Sequence, residues 1–145
     1  MLIQQVLKSK PHPGILTVES SALVSQAADI LAKYRIGSVV VSDDGGQTAA
    51  GILSERDIVR ELSANGSKCL DQPVSKYMTS ELVTSTIQAT VQEVLSQMTE
   101  GRFRHMPIVE DGKMVGLVTL GDLVKAQLSE LAMEKQALEG MIMGH

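Results

Sequence analysis

The chain has 145 residues, and its 13 basic and 17 acidic side chains give a formal net charge of −4. This acidic balance opposes the non-specific phosphate contacts of nucleic-acid binders, and one phenylalanine, two tyrosines and no tryptophan leave few rings for base stacking. The single cysteine excludes an intrachain disulfide, and the three histidines are not spaced as metal ligands.

The composition also bears on location and size. The first ten residues lack an apolar run followed by a cleavage site, and no stretch approaches the roughly 20 apolar residues of a membrane-spanning helix. The length suits one compact domain, or two half-domains that share a core. We therefore expect a soluble, cytoplasmic protein that binds neither nucleic acid nor membranes.

The first half of the chain predicts five elements around a tight turn. Apolar residues alternate or recur at helical spacing, and an Asp-Gly-Gly sequence separates two strand-like runs. The predicted elements are a strand at 15–18, a helix at 22–34, strands at 38–42 and 50–54 around a turn at 44–46, and a helix at 57–64.

The second half repeats this order. A shift of 67 residues places Thr17 on Thr84 and Arg35 on Arg102, and after the turn the shift becomes 65. The predicted elements are a strand at 82–84, a helix at 91–100, strands at 106–110 and 114–119, and a helix from about 121. We assign repeat 1 to residues 6–66, a linker to 67–79, repeat 2 to 80–132, and a C-terminal helical extension to 133–145.

Each repeat contains a heptad of the same pattern, GILSERD at 51–57 and GLVTLGD at 116–122. A hydroxyl residue followed three positions later by an acidic residue is typical of a helix N-cap with a capping box. The same geometry suits a ligand, because a helix N-terminus attracts phosphate, a carboxylate accepts hydrogen bonds from a ribose diol, and glycine allows a flat ring to approach. The residues alone leave both interpretations open.

The paired heptads, the β-α-β-β-α order and the run RHMPIVEDGKMVGLVTLGDL (104–123) resemble a tandem pair of CBS domains, a Bateman module of the stand-alone bacterial type. The resemblance covers about residues 6–132. It implies an α+β fold in which two repeats with small mixed sheets pack with pseudo-twofold symmetry, followed by a long C-terminal helix.

The resemblance also implies a ligand in the cleft between the repeats. Family members bind AMP, ADP or ATP, and some bind NAD(H) or S-adenosylmethionine. By this resemblance Asp57 or Asp122 holds the ribose, and Ser54 or Thr119 lies near ribose or phosphate. Thr17 and Thr84 would face the cleft. The candidates for aliphatic contacts with adenine are Ile52, Val40, Leu117 and Ile108.

Three basic or titratable residues, Arg102, Arg104 and His105, stand before the predicted strand at 106–110. An extended backbone with Phe103 turned inward would place both arginines on the opposite face, where they could bind phosphate. A solvated basic edge is the alternative, and the resemblance favours phosphate. The first repeat has one cation here, so the second heptad is predicted to form the better phosphate site.

The C-terminal helix carries Val124, Leu131 and Leu138 at a spacing of seven residues. This stripe either covers its own module or forms a dimer contact, and the resemblance favours the dimer. No catalytic motif appears. The sequence thus predicts a non-catalytic adenine-nucleotide sensor, homodimeric, with a possible protein effector. The alternatives are a non-binding structural oligomerisation module and an accessory subunit of a separate enzyme or transporter.

Overall fold

The computed structural model describes residues 1–10 and 14–143. Over these residues the chain forms α1 (Ile3–Ser9), β1 (Thr17–Val18), α2 (Val24–Tyr34), β2 (Ser38–Val41), β3 (Gly51–Ser54), α3 (Glu55–Asn65), 3₁₀ helices at Gly66–Asp71 and Val74–Lys76, α4 (Val91–Gly101), β4 (His105–Glu110), β5 (Lys113–Thr119) and α5 (Leu120–Ile142). In the described part of the chain, no helix is both long and apolar enough to cross a bilayer.

The strands form two small sheets. In the first sheet β1 runs parallel to β2, and β2 pairs antiparallel with β3. In the second sheet β4 pairs antiparallel with β5, with a register shift between Ile108 and Val109. The predicted α+β class with small mixed sheets and a long C-terminal helix is confirmed.

The predicted strand at 82–84 is wrong, and Pro107 gives the physical reason. In the first repeat the Val40 N–H donates to the Leu16 carbonyl, which supports the pairing of β1 with β2. The equivalent position in the second repeat is Pro107, which has no N–H to donate. Within residues 82–85, all of which the structure describes, the single bridge to β4 is therefore formed by Ser85, opposite Ile108.

The segment that precedes each repeat packs against the other repeat. Helix α1 buries Ile3 and Val6 in the core of the second repeat, and the linker buries Val74 in the core of the first. Main-chain hydrogen bonds fix both arrangements, because the Ile3 N–H donates to the Ala89 carbonyl and the Val74 N–H donates to the Ala22 carbonyl. Each core is thus completed by a segment that belongs, in sequence, to the other half.

A third apolar cluster joins the two halves. Val40 and Ile52 of the first sheet pack with Met114 of the second, and Leu82 and Leu117 lie against them. The Met114 N–H also donates to the Gln47 carbonyl at 2.7 Å. The two sheets are therefore held in one fixed relation, with the candidate site beside this contact.

Candidate ligand-binding cavity between the repeats

A cavity of about 930 Å³ lies between the repeats, at the N-termini of α3 and α5. This volume is in the range of pockets that hold small molecules and cofactors. The lining residues are Gly37, Ile52, Ser54, Glu55, Arg56, Asp57, Arg60, Thr79, Glu81, Leu82, Val83, Gly101, Arg102, Phe103, Arg104, His105, Thr119, Leu120, Gly121 and Val124.

Both heptads form complete capping boxes. The Ser54 N–H donates to Asp57 Oδ2 at 2.9 Å, and the Asp57 N–H donates to Ser54 Oγ at 3.2 Å. The Thr119 N–H donates to Asp122 Oδ2 at 2.9 Å, and the Asp122 N–H donates to Thr119 Oγ1 at 3.1 Å. The capping interpretation is confirmed, and it assigns one oxygen of each carboxylate to its own helix.

The heptad glycines make room for protein, which differs from the expectation of space for a flat ring. A Cβ on Gly51 would lie 2.6 Å from Met78 Sδ and 2.9 Å from the Thr79 carbonyl oxygen. A Cβ on Gly116 would lie 2.6 Å from Leu7 Cδ2. Both glycines therefore admit the segment that crosses over from the other repeat, the linker at Gly51 and α1 at Gly116.

The second interaction of each carboxylate distinguishes the two repeats. Asp57 Oδ1 accepts a hydrogen bond from Arg60 Nη2 at 2.8 Å, and Arg60 is a neighbour on the same helix whose side chain is 63% exposed. Asp122 Oδ2 instead lies 2.9 Å from Lys10 Nζ, at the end of α1. The two aspartates complete equivalent capping boxes, but Asp57 pairs with Arg60 and Asp122 pairs with Lys10.

Seven of the sequence-predicted site residues line the cavity: Ser54, Asp57, Ile52, Thr119, Arg102, Arg104 and His105. Six others do not line it. Asp122 forms an ion pair with Lys10, and Val40 and Leu117 pack between the sheets. Ile108 lies in the second core. Thr17 of β1 pairs with Val40 of β2, and Thr84 is exposed. The arginines of the second repeat thus share a cavity with the first heptad's aspartate, whereas the sequence paired them with Asp122.

The basic cluster reaches the cavity by a different backbone from the extended one that was expected. Arg102 ends α4 in the left-handed conformation, with φ of 56°, and Arg35 ends α2 in the same way, with φ of 53°. Among residues 1–10 and 14–143, neither Arg102 nor Arg104 has a carboxylate within 4.0 Å. Two positive charges without an ion-pair partner there therefore face the cavity.

His105 lies half-buried where the two repeats meet. A Cβ on Gly37 of the first repeat would lie 3.9 Å from its Nε2. Burial lowers the pKa of His105 below its usual value, and the positive charge of Arg104 lowers it further, while Asp122, Asp57 and Glu55 oppose the shift. The imidazole is therefore neutral at pH 7 and becomes harder to protonate on folding.

Several lining residues were missed from the sequence. Arg60 follows Asp57 by three positions on a helix, a spacing that predicts contact and could have identified it. Glu55 is the first residue of α3. Glu81 and Leu82 lie just past the linker, where no periodic pattern marked them. Arg56, the second residue of α3, is exposed and also lines the cavity.

Comparisons with known proteins agree with this architecture. A family model for the CBS domain matches residues 5–64 and 74–129. The chain is 34% identical over 148 residues to the mitochondrial CBS domain-containing protein CBSX3 of Arabidopsis thaliana, a match that covers 98% of this chain and 72% of that protein. It is 30% identical to the CBS domain-containing protein YhcV of Bacillus subtilis, over 79% of this chain and 80% of that one.

Solved structures have the same fold. The CBS-domain containing protein ATU1752 from Agrobacterium tumefaciens is 35% identical, with a TM-score of 0.82, over 88% of this chain and 99% of that one. The CBS domain pair of protein MJ0100, in complex with 5′-methylthioadenosine and S-adenosyl-L-methionine, is 27% identical, with a TM-score of 0.76, over 90% and 98%. The duplicated fold around a shared cavity defines a regulatory module. The chain belongs to the CBS-domain family and carries two CBS domains in tandem.

Proposed function

We propose that the cavity binds an adenine nucleotide, AMP, ADP, ATP or NAD(H), and that binding reports energy or redox state to a partner. One observation carries the proposal: a buried carboxylate at a helix N-terminus, Asp57, shares the cavity with Arg102 and Arg104 from the other repeat. A carboxylate suits a ribose diol and arginine suits phosphate. The adenosine ligands of the MJ0100 domain pair support the same class of ligand.

The ligand would connect the two repeats. Its ribose would lie at Asp57 and Ser54, its base against Ile52 and Leu82, and its phosphate towards the basic cluster. A ligand shifts the module only by as much as it binds one arrangement of the repeats better than another. Because the cavity is lined by both repeats, we propose that a bound nucleotide favours one relative position of α3 and α5. The module itself is proposed to be cytoplasmic and non-catalytic.

We expect Arg102→Gly to weaken AMP binding about threefold to tenfold and to leave adenosine binding unchanged, because an exposed arginine contributes a modest charge-assisted hydrogen bond to phosphate. Glycine also suits the left-handed backbone at this position. Arg35→Gly is the matched control, since it changes the same residue type in the same conformation outside the lining of the cavity. Calorimetric titration of both variants with AMP and adenosine measures the difference, and equal AMP affinities in the two variants would place the phosphate elsewhere.

We expect AMP affinity to rise as the pH falls from 8 towards 6.5. His105 is neutral in the free protein because its pKa is lowered, and a phosphate beside it would stabilise the protonated form, so binding would take up a proton. Linkage limits the gain to about tenfold per pH unit for one proton. His105→Gln should remove the pH dependence, and adenosine, which has no phosphate, should show none in the unsubstituted protein. A flat AMP profile would contradict this role of His105.

We propose that the module acts as a homodimer through α5. Val124, Leu128 and Leu131 are exposed, as are Leu138 and Ile142 further along the helix, so this stripe does not cover the module's own core. Exposed apolar stripes of this kind mark interaction surfaces. Light scattering of the intact chain should give twice the monomer mass, and Leu131→Glu with Leu138→Glu should reduce it to the monomer mass.

Titration of the intact protein with AMP, ADP, ATP and NADH, followed by calorimetry and by the melting temperature, tests the proposed function. A rise in melting temperature with one of these nucleotides supports the sensor. If none of them at millimolar concentration shifts the melting temperature, the non-binding oligomerisation module becomes the better explanation. That alternative is favoured by the capping boxes, which account for both heptads without a ligand.

A further inference from the structure

We propose that two chains pair through α5 in antiparallel orientation, and that this pairing places Ile142 of the partner subunit against Val124, on the wall of the ligand cavity. The second copy then contributes to the binding site of the first. This inference rests on the proposed homodimer and on the proposed nucleotide site. It adds the orientation of the two helices and a contact that joins the interface to the cavity.

Helix α5 extends beyond the module in which it begins. Its first turns pack on the second core through Leu123, which is buried, and Ala126, which is partly buried. Every residue from Leu131 to Glu139 is exposed, and so are Met141 and Ile142. Most helical stability in proteins comes from the packing of an apolar face, so an exposed extension of about 12 residues needs a partner.

The exposed face of α5 carries a regular stripe. Its members alternate at spacings of four and three residues, the pattern that forms the seam of a two-helix coiled coil. Five members are apolar and are 44–84% exposed, and the sixth is a lysine whose side chain is 78% exposed. The stripe consists of Val124, Leu128, Leu131, Lys135, Leu138 and Ile142. A second copy of the same helix is the partner that such a seam fits.

The charges along the stripe oppose a parallel pair. Identical residues meet in a parallel pair, so Lys135 would face Lys135 of the partner subunit. Glu134 would lie beside Glu139 of the partner subunit, and this contact would occur twice. Like charges in these positions repel each other, and charges that flank a seam determine the orientation of its helices.

The same charges favour an antiparallel pair. With the twofold axis two residues beyond Leu131, Lys125 lies beside Glu139 of the partner subunit, and symmetry produces this ion pair twice. Lys135 then faces Leu131 of the partner subunit and lies beside the partner's Glu134, which offsets the approach of the two Glu134 side chains at the axis. Attractive contacts thus replace most of the repulsive contacts of the parallel pair.

This register also gives every member of the stripe a contact in the other copy. The contacts are Val124 with the partner's Ile142, Leu128 with the partner's Leu138, and Leu131 with the partner's Lys135. If one helix slid by seven residues, two of the six members would lose their contact. The stripe and the flanking charges therefore select the same arrangement.

The position of Val124 connects the interface to the ligand cavity. Val124 lines the cavity and is 44% exposed in the single chain. The partner's Ile142 would cover this side chain and exclude water from it, so the cavity wall is completed by the dimer. A nucleotide that contacts the completed wall binds the dimer more tightly than the monomer, and by linkage it strengthens the dimer by the same factor.

Charge reversal tests the orientation in the full chain, with the dimer dissociation constant measured by analytical ultracentrifugation. We expect Glu139→Lys to weaken the dimer about tenfold, because it turns two ion pairs into two repulsive contacts. Lys125→Glu combined with Glu139→Lys should restore the dissociation constant. In a parallel pair, Glu139→Lys would instead strengthen the dimer by removing the repulsion from Glu134. A strengthened or unchanged dimer, or no restoration in the double variant, would overturn the inference and leave the proposed homodimer standing.

Titration with AMP tests the contact with the cavity. We expect Ile142→Glu to weaken AMP binding about threefold to tenfold, because it exposes Val124 again. Met143→Glu is the matched control, since Met143 is exposed, adjacent and outside the stripe, and its AMP affinity should be unchanged. Equal AMP affinities in the two variants would overturn the contact at Val124.

Two further outcomes separate this inference from the proposals on which it rests. A monomer mass for the unsubstituted chain would overturn the homodimer and this inference together, while AMP titration would still decide the nucleotide site. If the unsubstituted chain bound no AMP, the proposed function and the contact with the ligand site would both be overturned, and ultracentrifugation would still decide the orientation.

Discussion

Replacing Asp57 with alanine is expected to weaken AMP binding roughly 10- to 100-fold, which corresponds to the loss of one or two hydrogen bonds to a charged group. The carboxylate is buried in the wall of the cavity, and within the described part of the chain it accepts hydrogen bonds from Arg60 and from the Ser54 N–H of the cap. The effect should appear for AMP and adenosine alike, because the ribose is common to both. Calorimetric titration gives the two affinities.

The matched control for this change is Asp122→Ala. Both substitutions remove the carboxylate that accepts the N-cap N–H of a capping box, so both should lower the free energy of unfolding by about 1.5–3 kcal/mol. Asp122→Ala also removes the ion pair with Lys10. Only Asp57 lines the cavity, so only Asp57→Ala should reduce the affinity of the proposed site. If Asp57→Ala bound AMP as tightly as the unsubstituted protein while still melting cooperatively, the ribose would not lie at this carboxylate.

Gly51→Ala is expected to lower the free energy of unfolding by about 1–3 kcal/mol, because overpacking forces backbone to move. A Cβ there would meet the Thr79 carbonyl oxygen as well as Met78. Two hydrogen bonds pair Ile52 with Thr79 immediately beside this contact, so the strain cannot be relieved by a side chain alone. Chemical denaturation measures the loss, and because Thr79 lines the cavity, AMP binding should weaken as well.

Gly116→Ala provides the comparison, since it is the same substitution at the equivalent position of the second heptad. The three atoms nearest to its Cβ would all belong to the Leu7 side chain, which can change rotamer. The loss of stability should therefore be smaller than for Gly51→Ala. Equal losses for the two variants would show that the backbone of Thr79 does not restrict residue 51.

The elements that sequence reasoning predicted well are those whose side chains repeat locally. Helices α2 and α4 and the two hairpins each carry a period that the sequence displays without reference to distant residues. Helix α1 has only seven residues, which is too short to display a helical period. Its apolar side chains are buried in a core built mostly from residues beyond 90, so their role cannot be predicted from neighbouring residues. The absent strand at 82–84 depends on Pro107, which follows it by more than twenty positions.

The site was predictable in its residue types and not in their pairing. The heptads identified Ser54, Asp57 and Thr119, and the basic cluster identified Arg102 and Arg104. The difference between Asp57 and Asp122 lies in Lys10, which no local pattern connects to the second heptad. Contacts between residues more than a hundred positions apart are set by the packing of whole elements. The sequences of the two heptads therefore do not indicate which of their aspartates lines the cavity.

Because α1 packs in the core of the second repeat and the linker packs in the core of the first, neither repeat can be separated from the other without losing part of its core. A fragment of residues 1–66 would contain Ile3 and Val6 without the second core that buries them, and its own core would lack Val74. Neither half therefore contains a complete folding unit, although each contains a complete sequence unit. The duplicated chain should unfold in a single cooperative transition, and a disturbance of either core should lower the stability of both.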